Sequence, residues 1–347
     1  MLKKTFLAVF VLVVSVVIGI GASYMLRQNR EEKRNPAANN TPTVSQQVEN
    51  RELNPYSIEA LRQRSYSGGA LTLERELGDQ GNFTLFVMSY MSEGFKQYTL
   101  MSVPEGVKPE GGYPVIILNH GYIEPTVYST TSSYRSYFDA YARQGFIVLK
   151  PDYRGHDNSE GEPISAHTSP DYVIDVLNLV EAAKIYGDVN PNKIGMWGHS
   201  MGGGITLRAM AISKDIKAAA LLAGVVASPD SFYAYWTLLR DDPRVPSWIK
   251  ENAQRTLDEF GAPESNPDLW QSISPYTYIS EMNMPVQIHH GTADPDVPIL
   301  FSEELNNALR NAGKNVEYFV YQGGDHNLAG AARSPVLSRT IQLFKGM

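Results

Sequence analysis

Cysteine is absent from all 347 residues of this chain. Disulfide bonds and thiolate metal sites are therefore excluded, although an oxidising compartment is still allowed. The His-x-x-x-His spacing of zinc enzymes is missing, as are the glycine patterns Gly-x-Gly-x-x-Gly and Gly-Lys-Ser/Thr that cradle phosphates. We therefore expect neither a metal ion nor a cofactor.

Blocks of basic residues are missing outside the N-terminus, and the net charge is −7. A nucleic-acid partner normally requires a basic patch or stripe, so none is expected. The chain is 43% hydrophobic, which is ample for a large folded core. These bulk properties allow one large catalytic domain or two small ones.

A long apolar run, from Thr5 to Leu26, follows Lys3 and Lys4 at the N-terminus. About 20 apolar residues span a bilayer, whereas the core of a signal peptide has roughly 7 to 15. We predict a membrane anchor at residues 1–27, with a cleaved signal peptide as the alternative. Residues 28–55 are polar and rich in Asn, Pro and Thr, which is typical of a flexible stalk.

The flanking charges of this anchor and its overall pattern indicate opposite orientations. Four basic residues follow the apolar run, so the positive-inside rule alone would keep the bulk of the chain in the cytoplasm. A short basic head, an apolar run and a stalk together resemble an export signal-anchor. We therefore expect a single-pass protein with an extracytoplasmic catalytic domain, or a secreted one if the segment is cleaved.

The predicted domain, residues 56–347, contains two different patterns of apolar residues. Three alternating segments come first, after residue 65, and predict antiparallel strands joined by tight turns. Six continuous apolar runs then alternate with helical patterns, which predicts a mainly parallel sheet covered on both faces. These runs are 114–119, 145–150, 193–198, 217–224, 285–290 and 315–321. Residues 228–276 interrupt the alternation with an aromatic segment that we interpret as a helical cap.

One serine, Ser200, lies between two glycines, Gly198 and Gly202, directly after an apolar run and before a helical pattern. This Gly-x-Ser-x-Gly sequence between a strand and a helix is typical of a nucleophile elbow. Side chains two residues either side of the serine would collide with neighbouring backbone, which explains the glycines. The sequence therefore predicts Ser200 as a nucleophile.

A nucleophilic serine needs a base and an acid that orients the base, and both are expected where parallel strands end. Asp294 follows the run at 285–290, and His326 follows the run at 315–321. The order Ser, Asp, His matches the order expected with this elbow. Asp296 and Asp325 remain rivals for the acid.

The other histidines near these segments fit a catalytic base less well. His156 and His167 lie in a long loop and could reach the site, but simple loop roles are commoner. His199 adjoins the nucleophile and is expected to point away from it and pack. His289 and His290 face opposite sides of a strand and make a poor metal pair.

Hydrolysis through a tetrahedral intermediate also needs two donors for the oxyanion. The first expected donor is the backbone N–H of Met201, immediately after the nucleophile. The second should come from the loop after the run at 114–119. There we select the backbone N–H of Tyr122, because Gly121 lets the chain turn inward.

Several motifs taken together resemble the α/β-hydrolase superfamily: HGY (120–122), PDYRGHDNSEG (151–161), GHSMGG (198–203), HGTADPDVP (290–298) and GGDHN (323–327). Within it, residues 95–345 are similar to the catalytic domain of prolyl oligopeptidase-type serine peptidases. The resemblance implies an α/β-hydrolase fold with a mainly parallel eight-stranded sheet, helices on both faces and a helical cap. It also implies Ser200 as nucleophile, Asp294 as orienting acid and His326 as base.

One departure from that family concerns the substrate. Its large members carry an N-terminal β-propeller, whereas fewer than 70 residues separate the predicted stalk from Asn119 here. The expected function is a serine peptidase that forms an acyl-enzyme and acts on small peptides. The alternatives are a carboxylesterase or lipase acting on acyl esters, and a non-catalytic binding protein on the same fold.

Overall fold

The computed structural model describes residues 53–163, 169–240, 243 and 247–347. The predicted anchor and nearly all of the predicted stalk lie outside these residues, and both stay predictions. Within the described ranges, every helix is too short or too polar to cross a bilayer.

Three antiparallel strands open the sheet: β1 (Thr72–Asp79), β2 (Phe83–Ser92) and β3 (Phe95–Pro104). The turn between β2 and β3 has only two residues, Glu93 and Gly94, and both have positive φ angles, of 51° and 87°. Positive φ at both positions is what a two-residue hairpin turn matched to the strand twist requires. The prediction of successive antiparallel strands is confirmed.

Six further strands follow: β4 (Tyr113–Asn119), β5 (Ile147–Pro151), β6 (Val189–His199), β7 (Ile216–Leu222), β8 (Val286–Gly291) and β9 (Val316–Tyr321). The sheet order is β1-β2-β3-β5-β4-β6-β7-β8-β9, and all pairs from β5 to β9 are parallel. The expected count of eight strands is wrong, because all three early segments join the six apolar runs in one sheet of nine.

Helices cover both faces of the sheet, as the continuous apolar runs predict. The α-helices are α1 (Ile58–Gln63), α2 (Arg135–Ala142), α3 (Asp171–Lys184), α4 (Met201–Ile212), α5 (Pro229–Arg240), α6 (Ser247–Phe260), α7 (Pro267–Ile273), α8 (Ile299–Asn311) and α9 (Arg333–Lys345). Along β4, Ile117 joins the core under α3 and α4, while Ile116 and Leu118 join the core under α2 and α9. Successive side chains of β4 thus contribute to separate hydrophobic cores on the two faces of the sheet.

Between β7 and β8 lies the segment that the sequence predicts as a helical cap. Helices α5, α6 and α7 lie within the predicted bounds, 228–276, and a 3₁₀-helix at Pro275–Glu281 follows them. Tyr235 of α5 donates a hydrogen bond from its hydroxyl to the carbonyl of Asp296, at 2.5 Å, and its ring meets Phe301 edge-on. The helical segment therefore contacts the loop that follows β8.

Two leucines of the sheet are expected to contribute very differently to the free energy of unfolding. Leu100 of β3 is fully buried, whereas Leu73 of β1 is 56% exposed. We expect Leu100→Ala to lower the free energy of unfolding by about 2–5 kcal/mol, because it leaves a cavity in the core. The matched change Leu73→Ala should cost within about 0.5 kcal/mol. Urea denaturation of both variants checks this, and equal losses would contradict the packing described above.

Candidate active site

Ser200 occupies a strained turn between the end of β6 and the start of α4. Its φ and ψ angles are 54° and −121°, a conformation that L-residues rarely adopt. Such strain costs on the order of 1–3 kcal/mol and persists only where the surroundings impose it. Backbone bonds do so here, because the Ser200 N–H donates to the carbonyl of Leu222 while the N–H of Val225 donates to the Ser200 carbonyl, each at 3.0 Å.

The glycines either side of Ser200 are required by close backbone contacts. A Cβ atom on Gly202 would lie 2.0 Å from the carbonyl oxygen of Asn119, at the end of β4. A Cβ atom on Gly198 would lie 2.3 Å from the carbonyl oxygen of Gly202. The expectation that side chains at these positions would collide with backbone is confirmed.

The first turn of α4 follows Ser200 directly, and Met201 is its first residue. The first N–H groups of a helix have no partner within the helix and carry the positive end of its dipole. The elbow therefore places the partial positive charge of this helix end beside Ser200.

Asp294 and His326 are brought together from loops after two neighbouring strands. The Nδ1–H of His326 donates to Oδ2 of Asp294 at 2.8 Å. The Asp294 side chain is 1% exposed and that of His326 is 12% exposed. Of the rival acids, Asp296 donates its backbone N–H to Asp294, and Asp325 accepts from the N–H of Ala329. Asp294 is thus the carboxylate that contacts the His326 ring.

The Asp294 carboxylate is held as an anion by an unusually complete set of donors. Burial alone would raise its pKa, but hydrogen bonds from His290 and His326 and from two backbone N–H groups hold the pKa well below its usual range. His290 Nε2 lies 3.1 Å from Oδ2, the same oxygen that His326 contacts. The backbone N–H groups of Asp296 and Val297 serve Oδ1.

No hydrogen bond joins Ser200 and His326 in the described part of the chain. His199, the residue before Ser200, connects the elbow to the predicted base. The rings of His199 and His326 are 4.6 Å apart between centroids, and His199 Nε2 lies 2.9 Å from the His326 carbonyl oxygen. The side chain predicted only to pack is therefore a polar contact of the predicted base.

The loop after β4 runs beside the elbow. A Cβ atom on Gly121 would lie 2.6 Å from the Tyr134 hydroxyl oxygen and 3.0 Å from the Cβ atom of Ser200, so a side chain here would crowd both residues. Tyr122 follows directly, with its side chain 38% exposed and its hydroxyl donating to Glu124 at 2.6 Å. The loop is thus adjacent to the nucleophile, as an oxyanion donor requires, and the roles of the Tyr122 and Met201 N–H groups stay predictions.

The remaining candidate histidines are not in this arrangement. His156 is buried, and its ring meets His120 and Tyr128 edge-on. His167 lies outside the described residues. Two contributors are missed by the sequence analysis: Tyr134, whose hydroxyl bonds His199, and His290, which was considered only as a metal ligand. For His290, the only signal in the sequence is its position four residues before Asp294.

A group of metal-ligand type exists among the described residues. Ligand atoms of Asp294, Asp296 and His326 lie within 4.8 Å of one another. Two of the three, however, already bond each other, and Oδ1 of Asp294 accepts two backbone N–H groups. The arrangement is that of an acid–base pair, and we assign it no metal.

A model of the prolyl oligopeptidase family matches residues 132–345, which is more than half of the chain. The chain belongs to the prolyl oligopeptidase family. The uncharacterized peptidase YtmA of Bacillus subtilis is 25% identical over 264 residues, which cover 75% of this chain and 93% of that protein. Human protein ABHD12B is 27% identical over 243 residues, 67% of this chain and 60% of that protein.

Solved structures similar to this member of the prolyl oligopeptidase family include both a peptidase and an esterase. Dipeptidyl peptidase 4 of Porphyromonas gingivalis matches with a TM-score of 0.59 and 19% identity, over 76% of this chain and 36% of its own. Acetyl xylan esterase 1 of Thermoanaerobacterium matches with a TM-score of 0.58 and 14% identity, over 82% and 98%. These likenesses show the α/β-hydrolase fold, and family membership makes the chain a hydrolase.

The close contact at Gly202 generates a test of the elbow. We expect Gly202→Ala to lower the free energy of unfolding by about 1–3 kcal/mol, because the added methyl group meets backbone that cannot yield easily. Gly187→Ala is the matched control, since its Cβ atom meets nothing within 4 Å. That variant should be neutral or stabilised by up to about 1 kcal/mol. Urea denaturation distinguishes the two, and a neutral Gly202→Ala would contradict the described contact.

Proposed function

We propose that the chain is a serine peptidase that cleaves small peptides through an acyl-enzyme intermediate. Ser200 is the nucleophile, His326 the general base and then general acid, and Asp294 the group that orients the His326 ring. Two observations together carry the proposal. Asp294 and His326, from the loops after β8 and β9, are joined by a 2.8 Å hydrogen bond, and Ser200 occupies a strained elbow after β6.

In the proposed reaction, the Oγ of Ser200 attacks the scissile carbonyl carbon while Nε2 of His326 removes the hydroxyl proton. The proton then passes to the leaving amine, which departs and leaves an ester on Ser200. Water attacks this ester with His326 again as base, which releases the acid product and restores the serine. Hydrogen bonds between catalytic groups are often long without substrate and shorten when it binds, which accommodates the unbonded Ser200–His326 pair.

The oxyanion of each tetrahedral intermediate is assigned to the backbone N–H groups of Met201 and Tyr122. The position of Met201 at the start of α4 supports the first assignment, because the helix dipole adds to the N–H group there. The approach of Gly121 to Ser200 supports the second.

A second candidate function, carboxylesterase, is favoured by a mainly apolar cavity that reaches the first turn of α4 at Gly204. This cavity of about 70 Å³ lies between α4, the loop after β7 and the inserted helices, and Phe232, Trp270 and Val226 are among the side chains that line it. An apolar cavity of this size suits a short acyl chain. The family match favours peptidase activity, and the apolar lining of the cavity favours esterase activity.

Replacement of the nucleophile tests the proposed chemistry. We expect Ser200→Ala to reduce kcat by a factor on the order of 10⁶ and Asp294→Asn by about 10⁴, because the first removes the attacking atom and the second disturbs the His326 tautomer. Labelling by a fluorophosphonate probe should be lost in Ser200→Ala and retained, though slowed, in Asp294→Asn. Unchanged hydrolysis by Ser200→Ala would refute the proposed mechanism.

Substrate class is tested by a panel of chromogenic acyl esters and peptide anilides with matched acyl groups. A peptidase should hydrolyse both, because its site must protonate an amine leaving group as well as an alkoxide. A kcat/KM for esters larger by many orders of magnitude, with no measurable anilide cleavage, would replace the peptidase by the esterase.

A further inference from the structure

We propose that Tyr134 and His199 are positioning residues that connect the oxyanion loop to the catalytic base. Three hydrogen bonds form this connection. The N–H of Gly121 lies 2.9 Å from the Tyr134 hydroxyl, that hydroxyl lies 2.5 Å from Nδ1 of His199, and Nε2 of His199 lies 2.9 Å from the His326 carbonyl oxygen. The proposal rests on the serine hydrolase function proposed above.

The direction of each bond follows from the chemistry of its two ends. A backbone N–H can only donate, so the Tyr134 oxygen accepts from Gly121 and its single proton goes to Nδ1 of His199. A carbonyl oxygen can only accept, so Nε2 of His199 must carry the ring proton. Only one tautomer of a neutral His199 satisfies both ends.

His199 must therefore stay uncharged for the connection to exist. A second proton on its ring would sit on Nδ1, which could then no longer accept a hydrogen bond from the Tyr134 hydroxyl. Burial, together with the facing ring of His326, lowers the pKa of His199 to about 4, although the His326 carbonyl and Asp294 act in the opposite direction. Over the neutral pH range His199 is thus a fixed donor and acceptor.

Tyr134 is held in place at a cost. It precedes α2 with a φ angle of 59°, which is unfavourable for a bulky residue, and its side chain packs against Trp197 and His199. Strained residues of this kind persist where the surrounding contacts impose them, and they cluster at functional sites. In this position the Tyr134 hydroxyl bonds both the Gly121 N–H and the His199 ring.

The connection has two consequences for the reaction. Because the Gly121 N–H is occupied by Tyr134, the loop's oxyanion donor must be a different amide, which agrees with Tyr122. Because Tyr134 gives its only proton to His199, its hydroxyl is not itself an oxyanion donor. Both residues therefore act through others, by fixing the loop and the His326 backbone relative to Ser200.

The test compares Tyr134→Phe, His199→Phe and His199→Gln with a change at a matched tyrosine of α2, the helix that Tyr134 precedes. Tyr141 is fully buried, and its hydroxyl bonds Thr340 at 2.8 Å, outside the three hydrogen bonds of the connection. Kinetics on the best substrate and thermal unfolding are measured for all variants and for Ser200→Ala. Misplacement of a reacting group by 1 Å can cost about 100-fold, so Tyr134→Phe and His199→Phe should lose about 10- to 100-fold in kcat with KM little changed.

Three further results are expected if the residues act as one unit. Tyr141→Phe keeps kcat within about twofold of the wild type even where its midpoint of unfolding falls. His199→Gln, whose amide can still donate to the His326 carbonyl, recovers part of the kcat that His199→Phe loses. The double variant Tyr134→Phe/His199→Phe loses no more than the worse single variant, because each breaks the same connection.

The proposal is overturned if folded Tyr134→Phe and His199→Phe both keep kcat near that of Tyr141→Phe, or if their losses multiply in the double variant. Should Tyr134→Phe fail to fold, the comparison of His199→Phe with His199→Gln decides in its place: equal kcat values for the two would overturn the proposal. Persistent activity of Ser200→Ala would instead refute the proposed function, so the two failures are distinguishable.

Discussion

The contact between the first turn of α4 and the end of β4 is the constraint on which the candidate site depends. Gly202 lies so close to the Asn119 carbonyl that any side chain would separate the two elements. This approach places the helix N-terminus, the serine and the loop beginning at His120 within one small region. A serine hydrolase needs its nucleophile and its oxyanion donors together, and here the backbone packing of Gly202 and Gly121 brings Ser200 close to the loop that carries the proposed donor Tyr122.

The parallel sheet supplies the second part of the arrangement. Strands β8 and β9 are neighbours, so the loops after them present Asp294 and His326 side by side although 32 positions separate them along the chain. Four donors on one buried carboxylate keep it ionised and fixed in orientation. A fixed carboxylate holds the His326 ring with Nε2 directed away from Asp294, which is the orientation a general base requires.

Much of this arrangement could be predicted from the sequence, because local patterns encode it. The elbow is a five-residue motif with flanking periodicity, and Asp294 and His326 each follow an apolar run at a fixed place in the order of strands. The count of eight strands, which the family resemblance implied, was one too low, because all nine segments predicted from the sequence form strands and β1 is a mostly exposed edge strand beside the antiparallel hairpin.

Contacts between distant residues could not be predicted in the same way. Tyr134 begins a short helix 65 residues before His199, and nothing in its neighbourhood distinguishes it from the other tyrosines of that helix. The same holds for His290, whose role depends on how the loop after β8 folds back on the strand end. Such contacts follow from tertiary packing, and only the structure contains them.

The most direct measurement of the central claim is a crystal structure of the enzyme after reaction with an organophosphonate. The account predicts a covalent bond from phosphorus to the Oγ of Ser200, with the phosphonyl oxygen about 2.7–3.1 Å from the N–H groups of Met201 and Tyr122. His326 should then lie within hydrogen-bond distance of the Ser200 oxygen. An adduct on another residue, or a phosphonyl oxygen directed away from both amides, would contradict the account.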